Sequence, residues 1–188
     1  ALATTAFAQT APPVAKPGIK DRVDQGIAKV TGNPMAKADA DMKLVLDALA
    51  SLKPKPVEKL TPAEARRQPT PAAGVKELLR KTGKSTAPDP GVTTKDISIT
   101  GAGGEIPGRV YTPQGATGPL PVILYFHGGG WVIADLDVYD ATPRALAKQA
   151  GAVVISSHYR QAPEHKFPAA HDDAIAAYQW TLKNAQNF

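Results

Sequence analysis

The stretch Val122–Trp131, which reads VILYFHGGGW, carries the strongest indication of how this chain folds. Its five leading apolar residues predict a strand covered on both faces, because a half-buried strand would alternate polar and apolar positions. The three glycines that follow let the backbone fold tightly, so that neighbouring N–H groups can converge on one point. In open α/β sheets, ligands bind just beyond the carboxyl ends of the strands, which is where these glycines fall.

The segments upstream of this strand predict an antiparallel hairpin. Residues 95–99 and 106–111 alternate apolar and polar side chains, and the Gly101–Gly104 stretch between them is typical of a turn. Such a hairpin is expected at the edge of the sheet.

Downstream, the pattern alternates between helix and strand. A helix is predicted around 141–150, stopped by Gly151, and a second buried strand over 152–156. A C-terminal helix begins near Pro168, and its stripe of Ile175, Tyr178 and Leu182 is expected to cover the sheet. The order strand, helix, strand, helix favours an α/β fold with parallel strands.

Short amphipathic helices are predicted before the hairpin, over residues 35–84. One helical face carries Met42, Val45, Leu46, Leu49 and Leu52. Thr61-Pro62-Ala63-Glu64 is a capping box, and Thr70-Pro71 opens another helix. Each helix is too short to be stable alone and must lie on something else.

Composition and charge exclude several classes of protein. The 188 residues carry a net charge of +5 and no cysteine, so no disulfide framework or thiolate metal site exists. The positive residues are scattered and not interleaved with aromatics, which argues against a nucleic-acid partner. No run of 18 apolar residues is present, so no membrane span is predicted. The spacing of His165, His171, Asp172 and Asp173 fits no common metal motif.

The N-terminus indicates export. Ala6-Phe7-Ala8 fits the small-x-small pattern of a signal-peptidase site, so residues 1–8 are interpreted as a signal-peptide remnant and Gln9 as the mature start. A merely alanine-rich start is the alternative. Residues 9–34 read as a flexible leader, 35–90 as a helical segment and 91–188 as the larger α/β portion.

The glycines and the residues that flank them, here called the glycine loop (residues 127–135), have two interpretations on their own residues. Convergent N–H groups are what a tetrahedral oxyanion needs, so Gly129 and Gly130 could stabilise one. Alternatively, the glycines only form a turn that ends the strand, and His127 is a hydrogen-bonded packing residue.

An ordered series of motifs resembles the hormone-sensitive-lipase family of esterases, which have the α/β-hydrolase fold. The series comprises Tyr125–Trp131, Asp135-Leu136-Asp137, Tyr159–Glu164 and Phe167–Ala170. The resemblance runs from about Met42 to Phe188 and implies that residues 35–90 form a cap over the active site. It also implies that Gly129 and Gly130 provide oxyanion-hole N–H groups. His127, Gly128 and Trp131 would support that loop.

The nucleophile that the family requires is missing from this sequence. The five serines are Ser51, Ser85, Ser98, Ser156 and Ser157, and none lies in G-x-S-x-G. In the family that elbow follows the next strand, after Phe188, and the acid and base come later. No catalytic triad residue is therefore assigned within this chain. His158 stands where the family more often has an acid, and Arg160 with Glu164 is expected to form an ion pair under the glycine loop.

The sequence thus predicts the oxyanion-hole half of a periplasmic or secreted serine carboxylesterase that acts on small-molecule esters. No metal or organic cofactor is implied, and this chain alone is expected to be inactive. The alternatives are a non-catalytic ligand-binding protein with a hydrolase fold and an inactive fragment.

Overall fold

The computed structural model describes residues 38–188 of the chain. The predicted signal-peptide remnant and leader lie outside these residues. The described residues divide into two units, with residues 38–47 in the first and 48–188 in the second. The glycine loop and the whole sheet lie in the second unit.

In the part of the chain that the structure describes, three α-helices precede the sheet, as the sequence predicts. Helix α1 spans Ala40–Ser51, α2 spans Pro62–Ala65 and α3 spans Pro71–Lys81, with a 3-10 turn at Val57–Lys59. The predicted capping box is confirmed, since Thr61 Oγ1 accepts from the Glu64 N–H and the Glu64 carboxylate accepts from the Thr61 N–H. This reciprocal cap fixes the start of a helix only one turn long.

Within residues 38–188, four strands form one mixed sheet with the order β1-β2-β4-β3. The hairpin is confirmed: β1 spans Val92–Gly101 and pairs antiparallel with β2, Gly104–Pro113. Strand β3, Val122–Phe126, runs parallel to β4, Val153–Ser157, which also pairs antiparallel with β2. The last strand in sequence is therefore inserted between two earlier ones.

The two apolar strands differ in burial. Every residue of β4 is buried, as the sequence predicts, because β4 has a neighbour on each side and packing on both faces. Strand β3 is also covered on both faces, as predicted, since Val122 and Leu124 pack against one hydrophobic cluster and Ile123 and Tyr125 against the other. Its burial is incomplete, because its first four residues are half-buried and Phe126 is exposed. Within residues 38–188, β3 pairs only with β4, so its other edge is open.

Two hydrophobic clusters cover the two faces of the sheet. One contains Ile99, Val110, Val153 and Ile155 and packs against Ala177 of helix α5, which spans Ala169–Asn184. The other contains Val92, Tyr111 and Val154 and packs against Ala147 of helix α4, which spans Ala141–Ala150. Helix α4 ends at Gly151 in the left-handed conformation, as predicted.

The predicted apolar stripe of α5 does not face the sheet. Ile175, Tyr178 and Leu182 are 59%, 56% and 64% exposed, so this expectation is wrong. The helix buries Asp173, Ala177 and Thr181 instead. Asp173 sets this orientation, because its carboxylate accepts hydrogen bonds from Ala102 and Arg160 beneath the helix. None of the helices in residues 38–188 has the length and apolar character to cross a membrane.

Candidate functional site

The glycine loop leaves the carboxyl end of β3 and turns back sharply. Gly129 has φ of +131°, and Gly130 and Trp131 both have φ of +60°. The Gly129 carbonyl accepts hydrogen bonds from the N–H groups of Val132 and Ile133, at 3.1 and 3.0 Å. A Cβ on Gly129 would lie 1.9 Å from the Ile133 carbonyl oxygen, so only glycine fits there. At Gly130 a Cβ would meet nothing within 4 Å, but its φ is one that side chains rarely adopt.

Almost every carbonyl of the loop has a hydrogen-bond donor. Tyr159 Oη donates to the His127 carbonyl at 2.7 Å, and the Ala162 N–H donates to the Trp131 carbonyl at 2.9 Å. Gln161 Nε2 donates to the carbonyls of Ile133 and Ala134, at 3.0 and 2.9 Å. The motif around Tyr159 therefore holds the loop by its oxygen atoms.

Two N–H groups of the loop, those of Gly129 and Gly130, have no protein acceptor within residues 38–188. Backbone donors without partners are rare unless water or a ligand can reach them. The loop thus presents N–H groups at the end of a strand, where sequence reasoning places an oxyanion.

His127 is buried at the base of the loop, 3% exposed. Its Nδ1 lies 2.7 Å from the Gly128 carbonyl oxygen, and its Nε2 lies 3.0 Å from His158 Nδ1. The ring stacks on Tyr159, with centroids 4.7 Å apart. Burial and the neighbouring His127 ring lower the pKa of His158 below its ordinary value, so His158 is neutral near pH 7.

Arg66 ties the end of α2 to the loop. Its Nε donates to the Val132 carbonyl at 2.8 Å, and its guanidinium also pairs with Glu164 and donates to the Ala162 carbonyl. The expected Arg160–Glu164 ion pair is therefore wrong. Glu164 pairs with Arg66, and this contact holds the pKa of Glu164 at about 2.

Arg160 pairs with Asp173 instead, Nε to Oδ2 at 2.8 Å. Asp173 is completely buried, and Ala102 donates to it as well. Burial raises the pKa of Asp173, but these donors outweigh burial and hold the pKa below its usual range. The Arg160–Asp173 pair joins the hairpin turn to α5 and lies away from the glycine loop.

The other residues predicted to support the loop, Gly128 and Trp131, pack against neighbouring side chains. Trp131 is 58% exposed, and its ring stacks on His171 at 6.0 Å. A Cβ on Gly128 would lie 2.8 Å from Tyr139 Oη, so glycine lets that side chain approach. No group of three or more potential metal ligands occurs in the described part of the chain, including the region of His165 and His171.

A cavity of about 320 Å³ lies between the loop and the residues around α2 and α3. Its walls come from both sides: Ala65, Arg66, Thr70, Pro71, Gly129, Ile133, Ala134, Asp135, Val138, Tyr139, His158 and Gln161. A wider, more open groove of about 610 Å³ runs along α5 and the hairpin turn and includes none of the glycine-loop residues.

Sequence reasoning missed the role of Arg66. The residue follows a capping box and has no local signal that predicts a partner, because Glu164 is 98 residues away. Gln161 lies inside a motif that the sequence analysis identified, but its contact with Ile133 and Ala134 depends on the fold.

Comparison with known proteins agrees with this architecture. A family model described as alpha/beta hydrolase fold matches residues 123–188. The carboxylic ester hydrolase LipN of Mycobacterium tuberculosis is 46% identical over 96 residues, which are 51% of this chain and 25% of that protein. The ethyl acetate hydrolase of Pseudomonas putida is 35% identical over 150 residues, 78% of this chain and 45% of that protein.

A solved structure shows the same likeness in three dimensions. The hyperthermophilic esterase of Pyrobaculum calidifontis superposes with a TM-score of 0.60 and 34% identity, covering 77% of this chain and 43% of that one. The chain thus spans less than half the length of these three relatives. Over the part that it shares with them, the chain has the α/β-hydrolase fold and is similar to esterases of the hormone-sensitive-lipase-like family.

Proposed function

We propose that this chain is the oxyanion-hole portion of a serine carboxylesterase. The whole enzyme hydrolyses small-molecule carboxylic esters through an acyl-serine intermediate, with a base histidine that activates the serine. The serine, the acid and the base come from residues outside this sequence. The esterase names of the relatives support this reaction class. The proposal requires no metal or organic cofactor.

One observation carries the proposal: the loop carbonyls are held by protein donors while the Gly129 and Gly130 N–H groups are not. Donors fixed in advance cost no reorganisation when negative charge develops on the carbonyl oxygen of the ester. One such donor is typically worth about 3 kcal/mol in the transition state. His127, Gly128 and Trp131 support the loop and do not touch the reacting atoms.

The segment around α2 and α3 serves as a cap in this proposal. It supplies Ala65, Thr70 and Pro71 to the wall of the 320 Å³ cavity beside Gly129. A small ester could place its acyl or alcohol group there. The proposed location of the enzyme is the periplasm or the medium.

The test replaces Gly130 with valine in the intact enzyme and uses Gly151 as the matched control. Both glycines have φ of +60°, and a Cβ at either would meet nothing within 4 Å. Because β-branched residues avoid this conformation, each variant carries a similar backbone cost of about 1–3 kcal/mol. Only Gly130→Val should misplace an oxyanion donor, so its kcat on short-chain esters should fall roughly 100-fold. Gly151→Val should keep kcat.

A Gly130→Val enzyme with raised KM and unchanged kcat would show that the oxyanion assignment is wrong, because the donor acts mainly in the transition state. An intact protein that binds esters without hydrolysing them would favour the non-catalytic ligand-binding alternative.

A further inference from the structure

The Gly128 carbonyl determines which ring nitrogens of His127 and His158 carry a proton. His127 Nδ1 lies 2.7 Å from the Gly128 carbonyl oxygen, and a carbonyl oxygen only accepts hydrogen bonds. Neutral His127 therefore carries its proton on Nδ1, and its Nε2 has a lone pair.

The same argument determines which nitrogen of the His158 ring carries the proton. His158 Nδ1 lies 3.0 Å from the His127 Nε2 lone pair, so His158 Nδ1 must be the donor. The neutral His158 ring then has a lone pair on Nε2. The His158 backbone N–H donates to the Pro107 carbonyl at 2.8 Å, which anchors this residue at the end of β4.

The His158 Nε2 atom has no hydrogen-bond partner among the described residues, but it is not buried. Within residues 38–188, the buried side-chain polar atoms without a partner are three hydroxyl oxygens, those of Ser156, Ser157 and Thr181. His158 lines the 320 Å³ cavity, and its Nε2 is not among those buried atoms. The cavity wall thus includes a fixed hydrogen-bond acceptor.

Gln161 provides a second acceptor in the same cavity. Its Nε2 donates to two carbonyls, those of Ile133 and Ala134, so the amide orientation is unambiguous. Its Oε1 accepts from no protein donor in the described part of the chain. Two neutral acceptors, aligned by the loop that they also support, favour a ligand group that donates hydrogen bonds.

We propose that His158 Nε2, with Gln161 Oε1, binds a hydroxyl group in this cavity, so that the enzyme prefers esters with a hydroxyl on the acyl or alcohol part. This inference rests on the proposed esterase function and names the substrate class of that site. A hydroxyl fits better than an ammonium group, because the Arg66 guanidinium lies in the same wall.

The preference should depend on pH. The charged and titratable groups around the His158 ring are His127 at the end of β3, Asp135 in the glycine loop, Arg66 at the end of α2 and Tyr139 before α4. Burial and His127 lower the pKa of His158 below its ordinary 6.5, while Asp135 raises it by less. The Nε2 lone pair is therefore present above pH 6.5 and is lost at lower pH, when Nε2 gains a proton.

The test compares kcat/KM for two short-chain esters that differ only by one hydroxyl, in the intact enzyme. A ratio of rates for two substrates cancels the titration of the catalytic base, which both share. We expect a preference of roughly 3- to 10-fold for the hydroxylated ester at pH 8, the usual worth of one hydrogen bond. The preference should decline as the solution is acidified below the pKa of His158.

His158→Asn separates the two roles of this side chain. The asparagine amide can still donate to His127 Nε2, but it has no atom in place of His158 Nε2. The variant should lose the preference at every pH, a ratio that a general change in activity toward both esters does not alter. His165→Asn changes an exposed histidine outside the cavity and should keep the preference. An unchanged ratio in His158→Asn would overturn the inference.

A measurement without substrate keeps this inference distinct from the proposed function. Nitrogen-15 NMR of the histidine rings at pH 8 should show both His127 and His158 protonated on Nδ1. A His158 ring protonated on Nε2 would overturn the inference even in an active esterase. A protein with the expected ring protonation and no hydrolysis of any ester would refute the esterase proposal, and with it the substrate preference.

Discussion

Arg66 and Glu164 form a two-pronged ion pair, with Nη1 to Oε1 at 2.9 Å and Nη2 to Oε2 at 2.8 Å. The same guanidinium donates through Nε to the Val132 carbonyl of the glycine loop. One side chain therefore connects the end of α2, the loop and the segment after β4. A planar guanidinium can do this because its donors are fixed in one fork.

Arg66→Lys should lower kcat on short-chain esters roughly tenfold in the intact enzyme, since a single ammonium cannot make all these contacts and the loop loses its orientation. The effect should come from geometry more than charge, because the lysine keeps the charge. Arg67→Lys is the matched control, and steady-state kinetics of the two variants give the comparison. Equal kinetics for both variants would mean that Arg66 does not position the loop.

Asp173→Asn should destabilise the protein by about 3 kcal/mol, because it leaves Arg160 beside a buried group without charge. The neighbouring Asp172→Asn changes an exposed carboxylate and should cost little. Urea unfolding at pH 7 measures both free energies of unfolding. A similar loss of unfolding free energy in the two variants would show that the buried Asp173–Arg160 pair does not stabilise the protein.

The Asp173 pair also predicts a pH dependence. Because the folded-state pKa of Asp173 is lowered, its contribution is complete above its ordinary pKa of about 3.8 and is lost as the pH falls through the folded-state value. The difference in stability between the wild type and Asp173→Asn should therefore shrink in acid. A constant difference down to pH 2 would show that the ion pair is not its source.

Residues 1–188 produced alone should hydrolyse no ester. Ser156 and Ser157 are buried, and no serine of the sequence lies in a nucleophile elbow. A spectrophotometric assay with a short-chain nitrophenyl ester checks this. Activity that a serine-directed phosphonate removes would contradict it.

The same fragment should self-associate. Strand β3 has an open edge in the described part of the chain, and α5 exposes Ile175, Tyr178 and Leu182. Size-exclusion chromatography should show species larger than a monomer. Lysines at Ile175 and Leu182 should reduce the association that the helix face causes. A sharp monomer peak for the unmodified fragment would refute the prediction.

The proposed export predicts a mature N-terminus near Gln9, after Ala6-Phe7-Ala8. N-terminal sequencing of protein from fractionated cells measures this directly. An uncut chain in the cytoplasmic fraction would rule it out.

Local patterns in the sequence were sufficient to predict the helices and strands. The α4 helix, its stop at Gly151 and the Thr61 capping box depend on neighbouring residues and occur where predicted. The stripe of α5 was predicted wrongly because the orientation of that helix depends on Asp173, and the burial of β3 is incomplete because it depends on strand order; no local pattern reports either.

In the candidate site, too, the sequence predicted what depends on local residues and missed what depends on the fold. The position of the glycine loop at the end of β3 follows from a short stretch of sequence, and the structure places it there. The partner of Glu164 was predicted wrongly, since a nearby Arg160 is a plausible partner in sequence while the fold brings Arg66 from 98 residues away.

The insertion of β4 between β2 and β3 has a consequence for how the chain acquires its structure. The hairpin β1–β2 and the strand β3 share no ladder, and each is joined to the other only through residues 153–157. During synthesis these parts emerge first and have no common partner until β4 leaves the ribosome. Assembly of the sheet then requires contacts between residues far apart in sequence, which slows folding. The hairpin and β3 therefore stay unpaired with each other in the nascent chain until residues 153–157 can pair with both.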